Sequence, residues 1–122
     1  MRIAGFQKLT LLDYPGHISA LVFTTGCNMS CLGCYNAEMV LPAKIAAYKN
    51  FIDEKEVLNI LQKRKDFLEG VVISGGEPTL QPDLRNFIIK IRELGLKIKL
   101  DTNGLRPSVL EKLLKERLLD FV

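Results

Sequence analysis

Cysteine and histidine are scarce in this chain: of 122 residues, three are cysteine and one is histidine. An odd number of thiols cannot all pair, so a disulfide framework is not expected, and a cysteine-rich loop suits a reducing compartment. Long apolar runs are missing too. Nowhere do about eighteen apolar residues follow one another, so no membrane-spanning helix is expected. The first residues, Met1-Arg-Ile-Ala-Gly-Phe-Gln-Lys8, carry no apolar stretch and no small-residue cleavage site, so no signal peptide is expected. The formal charge of +3 is small and no basic block stands out, which gives no reason to expect nucleic acid as a partner. Repeats, low-complexity stretches and linkers are absent. Ordinary proportions remain, 48% hydrophobic and 25% charged, in a length that makes one domain at most. The expectation is a soluble cytoplasmic protein with a single domain over 1–122.

Apolar patterning predicts a sheet. Residues 18–24, 71–74 and 96–100 read as strands, the third alternating apolar and basic, and another strand begins at Leu119-Asp-Phe-Val122. Helices fill the gaps. Asp53 with Glu56 predicts the cap of a helix running to about Glu69. Pro82 suits the first turn of a second, whose stripe is Leu84, Phe87, Ile88, Ile91 and Leu94. Ser108 with Glu111 reads as a capping box for a third, with Leu110, Leu113, Leu114 and Leu118 facing the core. Gly70 and Gly95 fall where helices give way to strands and suit left-handed caps. Alternating strands and helices predict an α/β fold with a parallel sheet. A turn at Asp13-Tyr-Pro-Gly16 adds a short N-terminal antiparallel hairpin. Residues 37–50 show the least pattern.

Three unusual segments each follow a predicted strand: Cys27-Asn-Met-Ser-Cys31-Leu-Gly-Cys34, then Ser74-Gly-Gly-Glu-Pro78, then Asp101-Thr-Asn-Gly104. In a parallel array the carboxyl ends of the strands share one side, where ligands bind. Segments spread over the sequence are therefore expected to meet at one pocket. Three closely spaced thiolates can hold three irons of a four-iron cluster and leave the fourth open, whereas clusters that only carry electrons take four cysteines. Structural zinc is the alternative, with His17 as fourth ligand. Gly75 and Gly76 lack a Cβ and would let backbone approach a ligand. Pro78 biases Glu77 toward an extended conformation that aims its carboxylate. The alternative there is a tight turn with a solvated acid. Asp101 and Asn103 before Gly104 also read as turn chemistry, and Asp101 alternatively as a carboxylate ligand for an ion or a hydrogen-bond acceptor for a sugar hydroxyl.

Together Cys27-x-x-x-Cys31-x-x-Cys34, Gly75-Gly-Glu-Pro78 and Asp101-Thr-Asn-Gly104 resemble the radical S-adenosylmethionine superfamily. Phe6-Gln, Leu12-Asp-Tyr-Pro-Gly16 and the Gly26-Cys…Cys34-Tyr-Asn36 context are similar to its glycyl-radical-enzyme activating branch. Activators of anaerobic ribonucleoside-triphosphate reductase are the nearest likeness and pyruvate formate-lyase activating enzymes the next. The resemblance covers 1–122 and implies a partial (β/α) barrel of which this chain supplies about the first half. It implies that Cys27, Cys31 and Cys34 bind a [4Fe-4S] cluster whose open iron takes the amino and carboxylate groups of S-adenosylmethionine. Gly75, Gly76, Glu77 and Pro78 would receive the cofactor's amino group. Backbone near Gly33 and Tyr35 would touch adenine, and Asp101, Thr102 and Asn103 would lie at a cation or the methionine end. Gly33 departs from the aromatic residue many members carry there, which excludes a side-chain contact. The implied activity is reductive cleavage of S-adenosylmethionine to a radical that takes hydrogen from a glycine of a partner enzyme. One electron would come from a donor such as flavodoxin or ferredoxin. A small-molecule substrate is the rival reading within the superfamily, and a non-catalytic half-barrel is the rival outside catalysis.

Overall fold

The computed structural model describes Met1, residues 3–25 and residues 51–122. Cys27, Cys31, Gly33, Cys34, Tyr35 and residues 37–50 lie outside the described residues, so the readings made of them are neither supported nor opposed by it. Strand β1 (Ile3–Thr10) runs antiparallel to β2 (Ser19–Thr24). There follow α1 (Glu54–Arg64), β3 (Gly70–Gly75), a 3-10 turn (Pro78–Leu80), α2 (Leu84–Glu93), β4 (Lys97–Leu100) and α3 (Pro107–Lys115). The sheet order is β1-β2-β3-β4, and β2, β3 and β4 are mutually parallel. From β2 onward each new strand is laid beside the last, with a helix returning the chain each time. That is the winding of a (β/α) barrel, carried here over an arc.

Register sorts the strand residues into two faces. Ala20 and Val22 stand beside Val71 and Ile73, which stand beside Ile98 and Leu100. All six are buried in one cluster with Val57 and Leu61 of α1, Phe87, Ile88 and Ile91 of α2, and Leu113 of α3. Each Val, Leu, Ile or Phe among them contributes about 1.5–3 kcal/mol of apolar burial, so the helix-facing side holds most of the stabilisation. The opposite face carries a smaller cluster, Tyr14, Leu21 and Val72, with Phe23 against it.

Element ends differ from the sequence reading in specific ways. Helix α1 stops at Arg64 instead of reaching Glu69, because Phe67 and Leu68 both donate to the Arg64 carbonyl and Glu69 donates to Ile18. Asp53 caps it, accepting from the Lys55 amide at 2.9 Å. Pro82 lies ahead of α2, and Asp83 makes no side-chain cap because its carboxylate takes the Met1 ammonium. In α3 Pro107 occupies the first turn after Arg106, so Ser108 is already helical and no capping box forms. Leu113 is buried at 2% exposure while Leu114 is 48% exposed, which removes Leu114 from the expected stripe. Leu119–Val122 contributes a single parallel bridge, Lys99 to Phe121, rather than a strand. Gly95 is left-handed as expected, with φ +84°. Gly70 is not; a Cβ there would sit 3.1 Å from the Tyr14 ring and from the Lys97 carbonyl. Its missing side chain makes room for Tyr14.

At the amino end of β2, His17 Nδ1 lies 3.2 Å from Glu69 Oε2, and Ile18 N–H donates to Glu69 Oε1 at 3.1 Å. The Ile18 amide, then His17, hold the Glu69 carboxyl below its ordinary value of 4.5. A carboxyl depressed by folding stabilises above its unfolded pKa, and that contribution fades as pH falls through the lower folded pKa. Melting curves taken from about pH 6 down to about pH 3 should show Glu69→Gln losing less stability on acidification than the parent. Parallel curves would place the acid sensitivity elsewhere.

Candidate functional site

Thr24 of β2 is in register with Gly75 of β3, so both strands end together. Gly75 has φ +107°, and a Cβ built there would lie 2.3 Å from the Thr24 nitrogen and 2.5 Å from its oxygen. What comes close at Gly75 is therefore the backbone of β2, where the sequence suggested a ligand. Gly76 N–H then donates to the Thr24 carbonyl at 3.1 Å. Thr24 Oγ1 donates to the Ser74 carbonyl at 3.1 Å, and Gln81 Nε2 donates to the Thr25 carbonyl at 2.8 Å. These bonds fix where the chain leaves β2 on its way to Cys27.

Glu77 is extended, with φ −114° and ψ 105°, as the following proline predicts, and it caps the 3-10 turn. Its side chain is not a solvated acid: it is 1% exposed. Oε1 accepts from Thr79 N–H at 3.1 Å, Thr79 Oγ1 at 2.7 Å and Thr102 Oγ1 at 2.6 Å. Oε2 accepts from Asn103 N–H at 2.7 Å. The segments after β3 and β4 are thus joined through one carboxylate. Pro78 is buried in the first position of the turn.

The segment after β4 is turn and meeting point at once. Asp101 N–H donates to the Ile73 carbonyl at 3.0 Å, extending the pairing with β3. The Asp101 carboxylate lies 3.1 Å from the Lys99 ammonium, which also donates to the Asp13 carbonyl. Asn103 Oδ1 accepts from Leu105 N–H at 3.0 Å, an Asx turn, and Gly104 is left-handed with φ +77°. Arg106 donates to the Thr79 carbonyl at 3.0 Å, binding the two segments again. Sequence reasoning missed Thr25, Thr79, Gln81, Lys99 and Arg106. Thr79 alone left a trace: an acid followed by proline and a hydroxyl residue is the pattern of a capped turn. His17 stands at the far end of β2, which spans about 20 Å, and it faces Glu69.

The family model of the Radical SAM superfamily matches residues 21–122. The chain belongs to the radical SAM superfamily. A Methanocaldococcus jannaschii protein provisionally named a glycyl-radical enzyme activating enzyme is 40% identical over 98% of this chain and 48% of its own length. A pyruvate formate-lyase-activating enzyme of Clostridium pasteurianum is 34% identical over 93% of this chain and 48% of its own length. The chain therefore spans about half the length of these curated relatives. QueE from Escherichia coli has a similar fold, with TM-score 0.65 and 19% identity over 84% of this chain and 52% of that one. The α/β arc of β2, β3 and β4 is accordingly part of a radical SAM barrel. Membership, with His17 placed away from the exit of β2, replaces the zinc-module alternative. Among the described residues no helix is long and apolar enough to cross a membrane.

Proposed function

We propose that this single domain is the cofactor-bearing part of a glycyl-radical-enzyme activating enzyme. One observation carries the reading: the segments following β3 and β4 meet at Glu77, while Gln81 pins Thr25 beside them at the exit toward the cysteines. The donor set fits the cofactor. Cys27, Cys31 and Cys34 are the chain's complete supply of thiols, and three thiolates suit a [4Fe-4S] cluster with one iron left to S-adenosylmethionine. When bound, the pair supplies reductive carbon–sulfur cleavage and a radical able to take hydrogen from a backbone glycine. The chain's own work is to hold and orient. Backbone at Gly75 and Gly76, closed by Pro78, would receive the amino group. Asp101, Thr102 and Asn103 would hold the methionine end, and backbone at Gly33 and Tyr35, outside the described residues, would hold adenine.

The partner proposed is a glycyl radical enzyme, anaerobic ribonucleotide reductase first, with a one-electron donor such as flavodoxin or ferredoxin, in the cytoplasm. A pyruvate formate-lyase-type partner is the second reading, favoured by the relative bearing that name. Anaerobically reconstituted and reduced protein should show a [4Fe-4S]⁺ EPR signal that changes when S-adenosylmethionine is added. An unchanged signal contradicts cofactor binding. Mixing the reduced, cofactor-loaded protein with each candidate partner should then produce a glycyl radical doublet in one of them, which assigns the target.

A further inference from the structure

Among the described residues, Glu77 is the one charged side chain in the buried class. A buried carboxylate is costly unless hydrogen bonds replace its water. Here all four bonds come from the chain, and every donor is neutral. Two belong to Thr79, two residues on; two belong to the loop after β4. Turning Glu77 toward a ligand would strand the buried Thr79 amide inside the protein, a loss of the kind folded chains avoid, and would give up the bond from Asn103. Both carboxylate oxygens are thus already engaged within the chain, Oε1 by three donors and Oε2 by one.

We propose that Glu77 is a positioning residue: its carboxylate latches the Asp101–Gly104 loop onto the end of β3 and does not itself touch the cofactor. This deepens the functional reading above and rests on it. The latch accounts for the residue type. Aspartate, one methylene shorter, cannot cap Thr79 and still reach Thr102 and Asn103. Glutamine keeps one acceptor oxygen but sets an NH₂ donor against another donor. Loss of the latch parts Thr102 and Asn103 from Glu77 while Thr79 and Arg106 stay joined.

Hydrogen exchange and cofactor affinity test this on the reconstituted protein, using Glu77→Gln, Glu77→Asp and the milder Thr102→Val. Without S-adenosylmethionine, Asn103 N–H should exchange at least about tenfold faster in both Glu77 variants, while core amides such as that of Ile88 stay protected. Affinity for S-adenosylmethionine should fall in Thr102→Val as well as in Glu77→Gln, and the double variant should lose little more than Glu77→Gln alone. The cofactor-free cluster EPR spectrum should be the same in all, which a general collapse would not permit. Unchanged Asn103 exchange in Glu77→Gln beside weakened affinity would make Glu77 a direct ligand and overturn the latch. Faster exchange with undiminished affinity would overturn its positioning role. Failure of the parent protein to take up S-adenosylmethionine would sink the functional reading, whereas Asn103 exchange would still accept or reject the latch.

Discussion

Alanine in place of Cys34 is expected to leave no S-adenosylmethionine cleavage above a protein-free control. The chain has three cysteines, so no spare thiol can take over a lost position. A cubane left with two protein thiolates is expected to assemble poorly or lose iron, and with it the site for the cofactor. The result should appear as loss of charge-transfer absorbance and of acid-labile sulfide, together with absence of 5′-deoxyadenosine. The informative control is His17→Ala. His17 pairs with Glu69 at the amino end of β2, away from where the cysteine segment departs. That variant should keep its iron, its sulfide and its cofactor-dependent EPR change, losing only the modest stability of the His17 contacts with Glu69 and the Tyr14 ring. Deoxyadenosine formation by Cys34→Ala would disprove the ligand assignment, and loss of metal in His17→Ala would revive a mixed cysteine–histidine site.

Architecture was legible because two periodicities agree. Runs such as Leu21–Phe23 and Val71–Ile73 sit between helical stripes such as Leu84, Phe87, Ile88 and Ile91, and the structure buries most of both. The meeting of the segments after β3 and β4 was legible for the same reason: parallel strands leave it little choice. Element ends were not. Ser108 and Pro82 obey local capping rules, yet Pro107 and the Met1–Asp83 contact decide where those helices begin. Chemistry at single residues was harder still. An acid before proline reads equally as a ligand or as a solvated turn, and only burial, at 1% exposure for Glu77, sets the second aside. Its partners, Thr79 and Thr102, are ordinary threonines until the fold brings them together. A glycine announces that a Cβ is unwelcome without saying what excludes it. For Gly70 it is the Tyr14 ring, and for Gly75 it is the next strand.

Gly75→Ala is expected to be the most destabilising small substitution among the described glycines. Two independent costs fall on the same methyl group. An L-residue at φ +107° is strained by about 1–3 kcal/mol. The added Cβ would also lie 2.3 Å from the Thr24 nitrogen, 2.5 Å from the Thr24 oxygen and 2.9 Å from the Phe23 carbonyl carbon. These neighbours are backbone held by the β2–β3 ladder, so no side chain can turn aside, and overpacking of this kind adds about 1–3 kcal/mol. A sum of about 2–6 kcal/mol is a large share of the roughly 5–15 kcal/mol that holds a domain together. Gly104→Ala supplies the comparison, because Gly104 is left-handed at φ +77° but has nothing within 4 Å of its Cβ position. It should cost about 1 kcal/mol, from backbone strain alone. Thermal melts of the pair therefore separate strain from collision, and similar melting temperatures would mean that β2 and β3 can part at little cost. If they part, Thr25 moves away from Gln81 and the cysteine segment leaves the sheet in a new place. Gly75→Ala protein folded at low temperature should therefore also lose the cofactor-dependent EPR change, since the glycine that lets two strands touch also aligns the exits of their loops.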